Sequence, residues 1–221
     1  MRKFHNFIFV VAIFTTAIPV FAQRDAISKS EYDAALAKSL EASSLRDRLV
    51  LTEETFYSGT QVTGKRQIES HFVGNDAKRI DVKTEFNGIK ESKDAIRIGD
   101  QYFCREGNKE WKQASKDCSK DVAMTIPDGD YDHFVEPDPN DGTRKIYTRR
   151  ASFADEGSEE RKAVRLSSIE IKFITDWTGA IVEYVETRRG GVEPNTWSSS
   201  QVTRYEYEPK YRKITVPTKG Q

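Results

Sequence analysis

Serine and cysteine nucleophiles need a base to take their proton, and histidine is the usual one. The 221-residue chain has three histidines. His5 lies in an apolar N-terminal stretch, which leaves His71 in a run with strand periodicity and His133 in an acidic one. Neither belongs to a nucleophile-elbow or zinc-hydrolase motif, and neither stands at ligand spacing from a cysteine. Carboxylate pairs for glycoside hydrolysis are not assignable, because 35 acids always contain some pair able to meet. Most of these acids alternate with Lys and Arg, as on a water-facing strand surface. The stretch from Asp128 to Glu136 carries acids at alternate positions, as a calcium loop would. It fails as an EF-hand, with His133 at the sixth position where glycine is needed and Pro139 at the twelfth where a bidentate Glu belongs. A polar exposed loop is the first reading there, and a calcium site of another type the second. The expectation is a protein that is not an enzyme and uses no metal or cofactor.

Lys+Arg and Asp+Glu both number 35, and 37% of the residues are hydrophobic. Residues 1–22 read as a basic start, an apolar run from Phe7 to Ile18 and small residues at Val20 and Ala22, the pattern of a cleavable secretory signal. The run is shorter than the roughly 20 residues a spanning helix needs. Cleavage after Ala22 leaves 33 basic against 35 acidic residues in 23–221. That balance, with the signs interspersed, offers no field for phosphate, so nucleic acid is not an expected partner. No cysteine follows the cleavage point, so a periplasmic protein without a lipid anchor is expected. In an oxidising compartment Cys104 and Cys118, 14 positions apart, are expected to pair.

The elements that carry these residues follow from periodicity. Tyr32, Ala35, Leu36, Ser39 and Leu40 share one stripe at helical spacing, with Ser28 or Ser30 as N-cap, and predict a helix over 29–43. After it the period becomes two. Ile80, Val82, Thr84 and Phe86 alternate with Arg79, Asp81, Lys83 and Glu85, and Asn87-Gly88 is a strong hairpin signal. Strands are predicted at 48–57, 64–73, 77–86, 89–98, 101–106 and 110–114, then at 144–153, 162–175, 180–188, 197–207 and 211–216. Residues 115–142, with three prolines and eight acids, read as a long excursion with a possible short helix at 119–125. About eleven strands and one early helix point to a mainly β fold: a single strongly curved antiparallel sheet, or incomplete β-barrel, with the helix and the excursion covering its concave face. One domain, 23–221, is expected.

Aromatic residues recur along the strands, among them Phe72, Phe86, Phe103, Phe173, Tyr184 and Tyr205. They fit either a filled core or the wall of an apolar cavity. The inward-facing candidates are Leu49, Leu51, Ile68, Phe72, Ile80, Val82, Phe86, Ile169, Ile171, Phe173, Val182 and Tyr184. The face chosen for Leu49, Ile169 and Val182 depends on register, since a slip of one residue inverts a strand.

Several segments carry a family resemblance. They are the run Glu69 to Ile80, the stretch Ile98 to Phe103 with Trp111-Lys112, the turn Trp177 to Gly179 opening the next strand, and the ending Thr203 to Pro209 with Ile214 to Pro217. Together with the leading signal and helix, they make the chain resemble the LolA/LolB-like superfamily of bacterial lipoprotein carriers, over about residues 29–217. The resemblance implies a half-barrel cavity for lipid acyl chains and a non-catalytic role in carrying lipids or lipoproteins, as in outer-membrane lipoprotein sorting. Acyl chains or lipoproteins, and envelope membrane proteins, are the implied partners of a monomer. Arg46 or Arg48 is the nearest match to a lid-pinning arginine, although an ordinary exposed charge is the plainer reading. The chain departs from the better-known carriers in its charge content, its cysteine pair and its acidic segment 126–142. The alternative is a cell-envelope protein-interaction or stress-sensor module with the same fold and no lipid cargo.

Overall fold

The computed structural model describes residues 24–74, 76–118, 129–153, 166–192, 194–207 and 214–217. The expected signal, residues 1–22, and the expected short helix at 119–125 lie outside them.

The chain runs through β1 (Asp25–Ala26), α1 (Lys29–Ser44), β2 (Arg48–Ser58), β3 (Gln61–Val73), β4 (Ala77–Phe86), β5 (Ile89–Ile98), β6 (Gln101–Glu106) and β7 (Lys112–Ala114). It continues through β8 (Asp132–Asp138), β9 (Asp141–Ser152), β10 (Leu166–Thr175), β11 (Ile181–Val192) and β12 (Asn195–Glu206). All twelve strands form one sheet in the order β1-β8-β9-β10-β11-β12-β2-β3-β4-β5-β6-β7. Every pairing is antiparallel, from β1 against β8 to β6 against β7. Two meanders are thus joined where β12 pairs with β2, and the sheet stays open between its β1 and β7 edges. Among the described residues the fold is mainly β, a single curved open sheet with one helix.

Local sequence explains most of this. Asn87 and Gly88 both adopt positive φ, 48° and 81°, the mirror-image turn whose twist matches the strands it joins. Gly64 lies under the Phe86 ring, where an added Cβ would come within 2.3 Å of it. Ser28 caps α1 by accepting the Glu31 amide hydrogen bond, while the Glu31 carboxylate accepts from the Ser28 amide.

The structure corrects the expected strand map at the excursion. Asp132–Asp138 is a strand within the sheet, although it reads as loop because Pro137 and Pro139 bracket its end. Proline is tolerated there because β1 reaches only Phe134 and Val135, so the outer side of Pro137 has no strand to bond. A register shift between Pro137 and Asp138 then absorbs the break. The expected strand at 211–216 is also wrong in its described part, since Ile214 to Val216 is irregular.

Chain order dictates where the helix lies. β1 sits at one edge and β2 is seventh in the sheet, so α1, between them, must cross the face of β8–β12. Its buried residues are Tyr32, Ser39 and Ser43. Tyr32 anchors the core there, fully buried against Phe173 and Ile181 with Ala35 and Leu36 beside it. A second cluster of Ala151, Ile169 and Ile171 lies alongside, with Tyr131 and Phe153 packed on it.

Candidate ligand cavity

A cavity of about 620 Å³ lies between α1 and the sheet, within the roughly 300–1,000 Å³ usual for small-molecule sites. Leu36 and Leu40 line it from the helix, and Val50, Ile68, Phe72, Ile171, Ile181, Tyr184 and Tyr205 from the strands. Further from the helix the floor becomes polar. Thr52 and Thr203 exchange a hydrogen bond of 2.9 Å across the β2–β12 join. Glu54, only 4% exposed, faces Arg66 at 3.8 Å. On the next strands the Tyr184 hydroxyl donates to Glu186 at 2.8 Å, and Glu186 also pairs with Arg188. Burial and the adjacent Glu186 carboxylate both push the Tyr184 phenol above its ordinary value. Burial likewise raises Tyr205 to about 12 and Tyr32 to about 12, so all three tyrosines are neutral at physiological pH.

The helix is held over the cavity by polar contacts. Ser43 Oγ accepts the Ile181 amide hydrogen bond at 3.0 Å and donates to the Ser39 carbonyl at 2.7 Å. The Tyr207 hydroxyl donates to the Ile181 carbonyl at 2.6 Å and lies 2.9 Å from Ser43 Oγ. Arg48 covers the helix C-terminus, its Nη1 donating toward the carbonyls of Ser43, Ser44 and Arg46 at 3.1, 3.3 and 3.1 Å. Its guanidinium stacks on Phe72 at 4.0 Å, and burial lowers its pKa. Arg48 is therefore a helix-pinning residue and not the plain exposed charge that sequence favours. Arg46 instead reaches the β10–β11 turn, meeting Thr178 Oγ1 at 3.1 Å and Asp176 at 3.9 Å.

Of the twelve residues expected to face inward, Ile68, Phe72, Ile171 and Tyr184 line the cavity. Phe173 and Ile169 share that face but are closed off by packing, the first beneath Tyr32 and the second in the Ala151 cluster. Ile80 pairs with Ser70 and is buried further along the face. Val82 and Phe86 line a separate depression with Phe56 and Lys93. Leu49, Leu51 and Val182 are misplaced by sequence. On β2 the cavity face belongs to Val50 and to the polar Thr52 and Glu54, while Leu49 and Leu51 alternate to the other side. At the start of β11 a register shift takes Val182 out of the pairing, with Thr175 opposite Ile181 and Ile174 opposite Glu183, so Ile181 points inward.

His133 packs its ring 5.1 Å from Tyr32 and is 8% exposed. Burial depresses its pKa. His71 sits on β3 with Nε2 2.7 Å from Glu69. Cys104 and Cys118 form a disulfide with Cα atoms 6.3 Å apart. Cys104 pairs with Ala95 and Ala95 with Ile80, so the bridge returns the chain to the cavity side of the sheet at the end away from the helix. Among the described residues no cluster of three His, Cys, Asp or Glu forms a metal site, and no helix is long and apolar enough to cross a membrane.

No protein-family model matches the chain, and no curated protein matches it. Among solved structures it aligns with a LolA superfamily protein, NE2245 from Nitrosomonas europaea, at 7% identity and a TM-score of 0.28, covering 78% of this chain and 91% of that one.

Proposed function

We propose that this protein is a non-catalytic binder and carrier of lipid acyl chains, held in the cavity between α1 and the open sheet. The observation that carries the reading is the cavity itself, walled by Leu36, Leu40, Val50, Ile68, Phe72 and Ile171 and roofed by a single helix. Burying an acyl chain gains about 0.8 kcal/mol per methylene, so a 16-carbon chain contributes on the order of 10 kcal/mol before ordering costs. The roof is suited to movement. Tyr32 anchors its N-terminal half in the core, whereas in its C-terminal half the buried residues are the serines Ser39 and Ser43, and that end is attached by the Ser43, Tyr207 and Arg48 hydrogen bonds. Residues 1–22 would direct the chain to a periplasm, where the cargo would be lipids or acylated proteins exchanged with envelope membranes, as in outer-membrane lipoprotein sorting.

A second reading, a protein-interaction or sensor module of the envelope, is favoured by one observation. Trp177 is 80% exposed and Leu45 74%, and the contact of Arg46 with Thr178 brings their two segments together. An exposed tryptophan at a hairpin tip and a bare leucine on the segment tied to it form a surface for a partner.

Titration with N-phenyl-1-naphthylamine, a neutral fluorophore that brightens in apolar surroundings, separates the two. Saturable brightening at one probe per chain, reversed by palmitate or its methyl ester, supports carriage. An unchanged emission, with the probe only in solution, contradicts it.

A further inference from the structure

The apolar walls of the cavity do not account for its charge. Arg48, Arg66, Lys78 and Arg149 line it against only two carboxylates, Glu54 and Glu186. Each carboxylate is engaged, Glu54 by Arg66 and Glu186 by Arg188. Arg48 is occupied at the helix C-terminus. Arg149 is different. It stands on β9 opposite Ile171, and no described residue forms an ion pair or hydrogen bond with its side chain. Its guanidinium lies 5.6 Å from the ring centres of both Tyr32 and Tyr131. Stacking of that kind uses the face of the guanidinium and leaves its in-plane N–H donors aimed outward. The Nε donor of Arg149 is buried without an acceptor among the described residues.

A second donor beside it is in the same condition. Tyr32 is fully buried, its hydroxyl has no hydrogen-bond partner among the described residues, and its side chain also lines the cavity. A buried donor without an acceptor is costly, so two such donors on residues that line one cavity are an arrangement that an anion would relieve. The chemistry is that of an oxyanion held by a guanidinium and a phenol. The aliphatic wall of Leu36, Leu40, Ile68 and Ile171 continues from it.

We infer that the cavity selects a single-chain amphiphile with an anionic head, its tail along the Leu36 and Ile68 wall and its carboxylate or phosphate oxygens taking hydrogen bonds from Arg149 and the Tyr32 hydroxyl. The inference rests on the proposed acyl-chain function and names its ligand class.

The test is competition against N-phenyl-1-naphthylamine by four probes below their micellar concentrations: palmitate, hexadecyl phosphate, methyl palmitate and hexadecanol. At least one anion is expected to displace the fluorophore at a concentration about tenfold or more below the neutral pair, and which anion does so identifies the head. In Arg149→Met, which keeps the aliphatic stem, and in Tyr32→Phe, which keeps the ring in the core, that advantage falls to near unity while methyl palmitate still competes. Competition by the neutral pair in each variant shows that it is folded. Equal competition by anionic and neutral probes in the unaltered protein overturns the anion inference and leaves acyl-chain binding standing. Failure of all four overturns both.

Discussion

The hydroxyl of Ser43, in the last turn of α1, accepts a hydrogen bond from the Ile181 amide at 3.0 Å. Beside the β10–β11 register shift, the Ala180 carbonyl accepts from the Asp176 amide across the turn, so the next amide, that of Ile181, faces away from β10, and with the β12 pairing beginning only at Glu183 it needs a partner outside the sheet. One serine thus ties the roof of the cavity to an irregularity in its floor. Replacing it by alanine leaves a buried amide unpaired, a loss of about 1–3 kcal/mol. Ser43→Ala is expected to lower the urea midpoint and to speed hydrogen exchange at Ile181 and along the helix. Exchange unchanged from the unaltered protein would show that the helix is held elsewhere.

Arg48 makes a parallel contribution at the same end. In Arg48→Met the stem still covers Phe72, but the contacts with the Ser43, Ser44 and Arg46 carbonyls are lost. The expected cost is about 1–2 kcal/mol. Because the effect falls on the roof, entry of N-phenyl-1-naphthylamine measured by stopped flow is expected to become faster.

Stability is expected to fall in mild acid through His133. Burial is the largest cause of its depressed pKa; Arg149 and Lys29 add to the depression, while Asp33 and Asp132 oppose it. The unfolded chain takes up the proton near the ordinary value of 6.5, the folded protein only at lower pH. Stability is therefore full above that value, declines as pH falls through it, and levels off below the folded value. Urea midpoints at about pH 7.5 and 5.5 check this, and His133→Gln is expected to flatten the difference that His133 causes.

The Cys104–Cys118 bridge closes a loop of about 15 residues, worth roughly 3 kcal/mol in the chain-entropy model. Cys104 lies on β6, next to the β7 edge of the sheet and far in strand order from α1. Reduction is expected to lower Tm while leaving hydrogen exchange in α1 and β11 unaltered. Loss of protection in α1 on reduction would mean that the two ends of the sheet are coupled.

Much of this architecture was legible in the residues, and the failures have physical causes. The β4–β5 hairpin could be read because Asn87-Gly88 is a local signal that tertiary contacts do not override. The helix was legible from the stripe of Tyr32, Ala35, Leu36, Ser39 and Leu40, which left its N-cap open between Ser28 and Ser30, and the structure places the cap at Ser28. The cavity was only half legible. Ile68, Phe72, Ile171 and Tyr184 alternate as an apolar inner face should, but the inner face of β2 carries Thr52 and Glu54, so Leu49 and Leu51 gave the opposite sign. Val182 failed because a register shift is set by pairing with β10, which no local period records. The sequence has no mark for Arg149. It is one arginine among many until β9, α1 and the residue before β8 bring it between Tyr32 and Tyr131.

Filling the cavity isolates its role from that of the roof. Ile68 is 8% exposed and lines the cavity, so Ile68→Trp is expected to push an indole into the acyl space. Affinity for N-phenyl-1-naphthylamine is expected to fall at least about tenfold, in line with pocket changes worth 1–3 kcal/mol. Thermal unfolding checks that the fold persists.

The central claim is that the space between α1 and the sheet holds an acyl chain. Native mass spectrometry of residues 23–221, exported to a bacterial periplasm and purified without detergent, tests it most directly. The account predicts a population carrying one amphiphile per chain, released by lipid extraction and absent from Ile68→Trp. A single apo mass that stays unchanged after incubation with palmitate, phospholipid and a lipopeptide would contradict it.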